Sequence, residues 1–175
     1  MVAVLLSIQP RFAEAILEGT KTYELRRRFP QIEEGTTFYL YSTSPRMAIV
    51  GSFISGEIKR SEKTALWFAL KSKLGLAEKE FDDYLYDRMH GVGIRATRVV
   101  RFRRAISLAQ IRSHMKLEAP QSFRYVPADA ERWLLSQIET HPENGQQSRS
   151  IAILPDVGDV LRIDISRDVL AEARM

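Results

Sequence analysis

The sequence predicts an α+β fold, a small mixed and mostly antiparallel β-barrel with inserted and flanking helices. Three observations point there. Short β-prone runs crowd the first half of the chain and return near residue 94. Helical periodicity appears only in separate blocks between those runs. Glycines at 51 and 56 interrupt one long strand pattern, as happens where a small sheet bends towards closure.

The elements follow in order. Residues 4–8 are an apolar run, read as a buried strand. Pro10 suits a first helical turn, and Phe12, Ala13, Ile16 and Leu17 form one apolar stripe opposite Arg11, Glu14 and Glu18. Gly19 stands where a helix is ended by glycine. The charged segment 19–28, GTKTYELRRR, is then a strand, ended by Phe29-Pro30. Residues 36–42 are strongly β-prone, with Phe38 and Leu40 on one face and Tyr39 and Tyr41 on the other. Ser44-Pro45 makes a turn into a strand over 47–58.

From Ser61, read as an N-cap, a helix aligns Ala65, Leu66, Ala69, Leu70 and Leu74 and stops at Gly75. A second helix spans 78–89 with Phe81, Tyr84, Leu85 and Met89 inward, and residues 94–108 return to strand. Ser107 caps a short helix through Ile111, residues 121–125 are extended, and 128–138 are an amphipathic helix. The segment 139–150 is a loop by composition, followed by strands at 151–154 and 160–165. The expected organisation is one domain over 1–127 with a C-terminal extension, 128–175, packed on it.

Composition sets outer bounds. The chain has 175 residues, 45% hydrophobic and 27% charged, enough for one core without disulfides or metals. It has no cysteine, which excludes thiolate chemistry and fits a cytoplasmic location. No apolar run reaches membrane-spanning length, so no membrane partner is expected. The net charge of +4 favours an anionic partner, most simply RNA or a nucleotide. His90, His114 and His141 lack metal-ligand spacing, and no metal or cofactor is expected. The GVGIRA segment at 91–96 precedes a strand instead of linking strand to helix, so it is not a dinucleotide fingerprint.

Three constellations could carry chemistry. In the segment 19–28, Glu24 and Arg26 are same-face neighbours about 7 Å apart, and Lys21 joins them only if the strand entrance rotates it. The charges either guard an edge strand against aggregation or line a cationic groove oriented by one carboxylate. The second constellation is Arg95, Arg101 and Arg103, a stripe opposite Ile94, Ala96, Val100 and Phe102, with Arg98 breaking the apolar face. With Arg27 and Arg28 these are the candidate nucleic-acid contacts. The third is the segment 39–45 with Tyr41, Thr43 and Ser44, where alternate tyrosines either cover a core rim, the favoured reading of the segment alone, or lead into a hydroxyl-rich turn suited to a base and a phosphate.

The run LLSIQPRFAEAILEGTKTYELRRR, followed by YLYSTSP and AIVGSFISGEI, resembles the ASCH domain, a branch of the PUA-like superfamily. The family pattern Gly-x-Lys-x-x-Glu-x-Arg falls on Gly19, Lys21, Glu24 and Arg26, and the likeness runs from about Val4 to Pro127. The resemblance implies a PUA-like barrel with a cleft at Lys21, Glu24 and Arg26 near the 41–45 turn. It also implies RNA or nucleotide binding. Some members resemble amidohydrolases acting on N4-acetylcytidine through a Lys, a Thr and a Glu, and others are ribonucleases. Carried over, Lys21 and Glu24 would be catalytic, with Thr22 and Glu57 as weaker candidates. The expected function is therefore an RNA- or nucleotide-binding module. The alternative is a hydrolase of a modified nucleoside or of RNA, and a protein-docking role for the Trp133 helix ranks third.

Overall fold

The computed structural model describes residues 3–139 of the chain. The expected strands at 151–154 and 160–165 lie outside the described residues. Six strands are described: β1 (Ala3–Ile8), β2 (Tyr23–Arg26), β3 (Thr37–Ser42), β4 (Ala48–Glu62), β5 (His90–Ser107) and β6 (Phe123–Val126). The helices are α1 (Pro10–Leu17), α2 (Lys63–Leu70), α3 (Glu78–Tyr84), α4 (Leu108–Gln110) and α5 (Ala128–Glu139), and a π-helical turn, Ile111–Met115, extends α4. The strands form one sheet in the order β2-β5-β4-β3-β1-β6. Every pairing is antiparallel except β1 with β3.

The α+β class and the mainly antiparallel sheet hold, but the barrel expectation is corrected: the sheet is open, with β2 and β6 as its edges. Both edge strands have only four residues. β6 pairs with Ala3–Leu6 and leaves the end of β1 without a strand on that side. There the Ser7 N–H still donates to the Ser122 carbonyl at 2.9 Å, and side chains bridge the rest. The Arg26 guanidinium donates Nη2 to the Ser7 carbonyl at 2.5 Å, and the Phe29 and Phe123 rings meet with centroids 4.6 Å apart.

Three apolar clusters hold the elements. The sheet curves around Val4, Leu6, Ile8, Phe38, Leu40, Phe53 and Ile94, over which α1 lays Ala13 and Ile16. A second cluster, on the other side of β1 and β3, joins Leu5, Tyr39, Tyr41 and Ile49 to Ile111, Met115, Ala130 and Leu134. A third packs Tyr23 and Leu25 of β2 under Leu66, Leu70, Leu74, Phe81 and Leu85. Each large side chain so buried contributes on the order of 2 kcal/mol. The expected division of β3 is observed, since Phe38 and Leu40 lie in the first cluster and Tyr39 and Tyr41 in the second.

Local signals mostly act as read. Gly19 has φ 79° and its N–H donates to the Ile16 carbonyl, ending α1. The Ser107 hydroxyl accepts from the Gln110 N–H at the start of α4. Several boundaries differ: β2 covers only Tyr23–Arg26 of the expected strand, α2 ends at Leu70 short of Gly75, and β5 begins at His90, which places the GVGIRA segment inside the strand. Ser61 lies within β4, and the Glu62 carboxylate caps α2 by accepting from the Thr64 and Ala65 N–H groups. α3 ends at Tyr84, so Met89 is exposed instead of inward, while Tyr84 is partly open with its hydroxyl turned inward towards Arg26 and Glu24.

The long strands β4 and β5 are not regular. Their pairing shifts register at Ile49/Gly51, Ser52/Ile54 and Ser55/Ile58, and Arg98 adopts φ 46°. Each shift exchanges the faces of the residues that follow. Ile94 accordingly packs in the first cluster and Phe102 in the second. The single stripe expected for Arg95, Arg101 and Arg103 is therefore divided. Arg95 sits opposite Tyr23, whereas Arg101 pairs with Glu14 of α1 at 2.7 Å.

Candidate functional site

The segment 19–28 is fixed from both sides before any charge is placed. The Lys21 N–H donates to the Ala15 carbonyl of α1, and the Thr22 N–H donates to the Lys73 carbonyl beyond α2. β2 then alternates: Tyr23 and Leu25 enter the cluster under α2 and α3, and Glu24 and Arg26 point the other way. Lys21 precedes the strand and turns to join them. All three are buried, with 2%, 6% and 8% of Lys21, Glu24 and Arg26 exposed.

Their geometry is a linked charge network. Lys21 Nζ donates to the Leu74 carbonyl at 2.7 Å and lies 3.5 Å from Glu24 Oε2. It also stands 5.0 Å from the centre of the Phe12 ring. Burial lowers the Lys21 pKa, and the neighbouring Glu24 carboxylate works against that fall. Arg26 Nε lies 3.1 Å from Glu24 Oε1, within ion-pair reach, but its N–H is not aligned on the carboxylate and has no hydrogen-bond partner. One buried carboxylate thus serves two buried cations, and the Leu74 and Ser7 carbonyls each accept one further donor, from Lys21 and Arg26 respectively.

Arg26 leads to the turn after β3. It holds the Ser7 carbonyl, and Ser7 is in register with Tyr41 on the adjacent parallel strand. The Tyr41 ring is buried in the second cluster, and that burial raises its hydroxyl pKa, with Arg112 and Glu118 the charged groups nearby. The ring is not an open stacking surface. The turn itself is accessible at Ser44, Thr43 is half-buried, and the Thr43 N–H donates to the Ile8 carbonyl at 2.9 Å. The Ser44–Pro45 peptide is cis.

Other expected residues lie elsewhere. Glu57 accepts a 2.6 Å hydrogen bond from the Tyr23 hydroxyl, and Tyr23 points away from Glu24, so Glu57 is not part of the Lys21 network. Thr22 is exposed. Arg27 forms an ion pair with Asp87, and Arg28 is exposed at the end of β2. Arg95, Arg98, Arg101, Arg103 and Arg104 are all exposed on β5. Sequence reasoning passed over Ser7 and Tyr84 as site residues. The Tyr84 hydroxyl is raised by burial, with Arg26 and Glu24 the leading charges near it. Among the described residues, no group of three or more His, Asp or Glu could hold a metal ion, and no helix is long and apolar enough to cross a membrane.

The model of the ASCH domain family matches residues 6–100, which include Ser7, the whole charge network and the Tyr41 turn. An ASCH domain-containing ribonuclease from Zymomonas mobilis is 32% identical over 79 residues, which is 45% of this chain and 53% of that relative. The aligned part thus spans about half the relative's length. The crystal structure of ASCH from Zymomonas mobilis superposes with a TM-score of 0.74 at 25% identity, covering 77% of this chain and 94% of that one. The human THYN1 protein, solved in complex with 5-methylcytosine-containing DNA, shares the fold with a TM-score of 0.52 at 14% identity, over 81% of this chain and 100% of that one.

Proposed function

The chain belongs to the ASCH domain family, and from that premise we propose that it binds RNA through exposed arginines around β2 and β5. The observation that carries this reading is β5 itself, which exposes Arg95, Arg98, Arg101, Arg103 and Arg104 within ten residues. The bulge at Arg98 divides these cations between the two faces of the strand, so a nucleic-acid backbone laid on one face engages only part of the set. The Arg101–Glu14 pair is half-exposed and readily exchanged for a phosphate. In this reading Lys21, Glu24 and Arg26 act indirectly. They hold β2 against the end of β1 and so fix the turn where Thr43 and Ser44 offer hydroxyls to a nucleotide.

Ribonuclease turnover is the second reading, favoured by the ribonuclease from Zymomonas mobilis. Hydrolysis of an acylated nucleoside has less support. It needs the Lys21 amine at a substrate carbonyl, and that amine is held by Leu74 and Glu24 away from solvent. One experiment separates the readings. The purified chain is incubated with short single-stranded RNA and with N4-acetylcytidine, and bound and converted material is read by mass spectrometry across salt concentrations. Salt-sensitive retention of intact RNA supports binding, and shortened RNA supports the ribonuclease. Retention that ignores salt overturns the arginine-based reading.

A further inference from the structure

A recess of about 320 Å³ opens just beyond the end of β2, lined among others by Arg27, Arg28, Phe29, Arg60 and His90. Its composition follows from register. Arg26 pairs with Val92, and Val92 pairs with Arg60, so the ends of β2, β5 and β4 lie side by side. The chain leaving β2 then brings Arg27 and Arg28 to the same place. Arg60 is pre-positioned, since its Nη1 and Nη2 donate to the Phe29 and Pro30 carbonyls at 2.8 and 2.5 Å. Arg28 has no ion-pair or hydrogen-bond partner among the described residues. Arg27 is balanced by Asp87, and Glu62 lies beside His90 in the ladder but is engaged in capping α2. Much of the recess wall is apolar, and its uncompensated positive charge stands at Arg28, because the Nη groups of Arg60 already donate to backbone carbonyls. At its rim, Arg27 also lies 5.9 Å from the centre of the Tyr86 ring, and Tyr86 is 77% exposed.

We propose that this recess is a phosphate-anchoring site for single-stranded nucleic acid, in which Arg28, Arg60 and His90 hold a backbone phosphate and Tyr86 stacks the adjoining base. The inference rests on the RNA-binding reading and deepens it by naming a site apart from the ASCH motif. Cations in a concave site suit a phosphate, and an exposed ring beside it suits a base without sequence preference. The same site would hold free phosphate more weakly, because the stacking contact is missing.

The test uses the full chain and a short labelled oligouridine, with affinity measured by fluorescence anisotropy across salt concentrations. Arg28→Ala, His90→Ala and Tyr86→Ala are compared with Arg132→Ala, which removes the same charge from α5. Arg28→Ala should lower the salt slope by about one and Tyr86→Ala should weaken binding about fivefold or more, while Arg132→Ala changes little. Oligouridine binding that the three recess variants weaken no more than Arg132→Ala overturns the site and leaves the RNA-binding reading intact. In parallel, inorganic phosphate is titrated while backbone amides are followed by NMR. Shifts centred on Arg27–Phe29 and Gly91–Val92 support the site even if oligouridine fails to bind. Shifts absent there, or spread evenly over all exposed arginines, overturn it.

Discussion

The Arg26 guanidinium and the Ser7 carbonyl meet at 2.5 Å across the opening between β2 and β1, where no strand continues the ladder. The same arginine is paired with Glu24, which also faces Lys21. The most recognisable motif of the chain is thus spent largely on joining its own strands.

Glu24→Gln should therefore be costly. It leaves two buried cations without their shared carboxylate, and breaking a buried pair in this way costs about 3–5 kcal/mol. Against a total stability of roughly 5–15 kcal/mol, that is a large share. Lys21→Met should cost less, because Glu24 keeps Arg26 and the desolvated amine is removed. Urea denaturation of the two variants checks the order. Equal stabilities for Glu24→Gln and the unchanged chain would show that the network is not structural.

Gly51 marks a close approach. A Cβ there would lie 2.5 Å from the Val100 carbonyl oxygen and 2.5 Å from Leu17 Cδ2. The first contact is backbone within the β4–β5 ladder and cannot swing aside. Gly51→Ala should lose about 1–3 kcal/mol. At Gly56 the nearest contacts are side-chain atoms of Thr97 and Arg95 at 3.0 and 3.4 Å, so Gly56→Ala should lose less. Thermal unfolding of both variants measures the difference.

Tyr23 predicts an alkaline dependence. Burial, followed by its hydrogen bond to Glu57, pushes its pKa up to about 12, from 10 in the unfolded chain. The folded state then keeps a proton that the unfolded state releases. The associated stability is complete below about pH 10 and is lost as pH rises towards about 12. Tyr23→Phe should lack this part of the decline. Chemical denaturation of both proteins at about pH 9 and about pH 11 tests it, with parallel losses counting against the assignment.

The Arg101–Glu14 pair predicts a gain of function. An exposed pair is worth at most about 1 kcal/mol. Glu14→Gln should release Arg101 for phosphate and tighten RNA binding by at most about fivefold. Arg101→Ala should lower both affinity and salt slope. Anisotropy titrations at two salt concentrations measure both effects, and an Arg101→Ala complex with unchanged affinity and salt slope removes Arg101 from the interface.

Much of this architecture was legible in the residues. The alternation in β3 assigned Phe38 and Tyr39 to opposite clusters, and Gly19 and Ser107 marked helix ends by local chemistry alone. What could not be read was set by long-range register. The bulge at Arg98 inverts the pattern of β5; the sequence marked the place, where Arg98 breaks the apolar face, but not that an extra residue is taken up there. The nearness of Lys21 to Glu24 was legible only as a condition on the strand entrance. The Leu74 carbonyl that completes the network lies 53 residues away. The recess at Arg60 and His90 depends on three strand ends aligning, which separate sequence windows do not reveal.

The pairing of Ala3 with Val126 and of Leu6 with Phe123 has a consequence during synthesis. β1 leaves the ribosome long before β6 exists, and at roughly 5–20 residues per second the wait is on the order of ten seconds. Through that interval one border of β1 has no strand to pair with, beside side chains that are wholly apolar from Ala3 to Leu6. Arg26 and its neighbours appear early enough to shield only the far end at Ser7. The nascent chain therefore offers a sticky template to other extended polypeptides until its last described strand arrives.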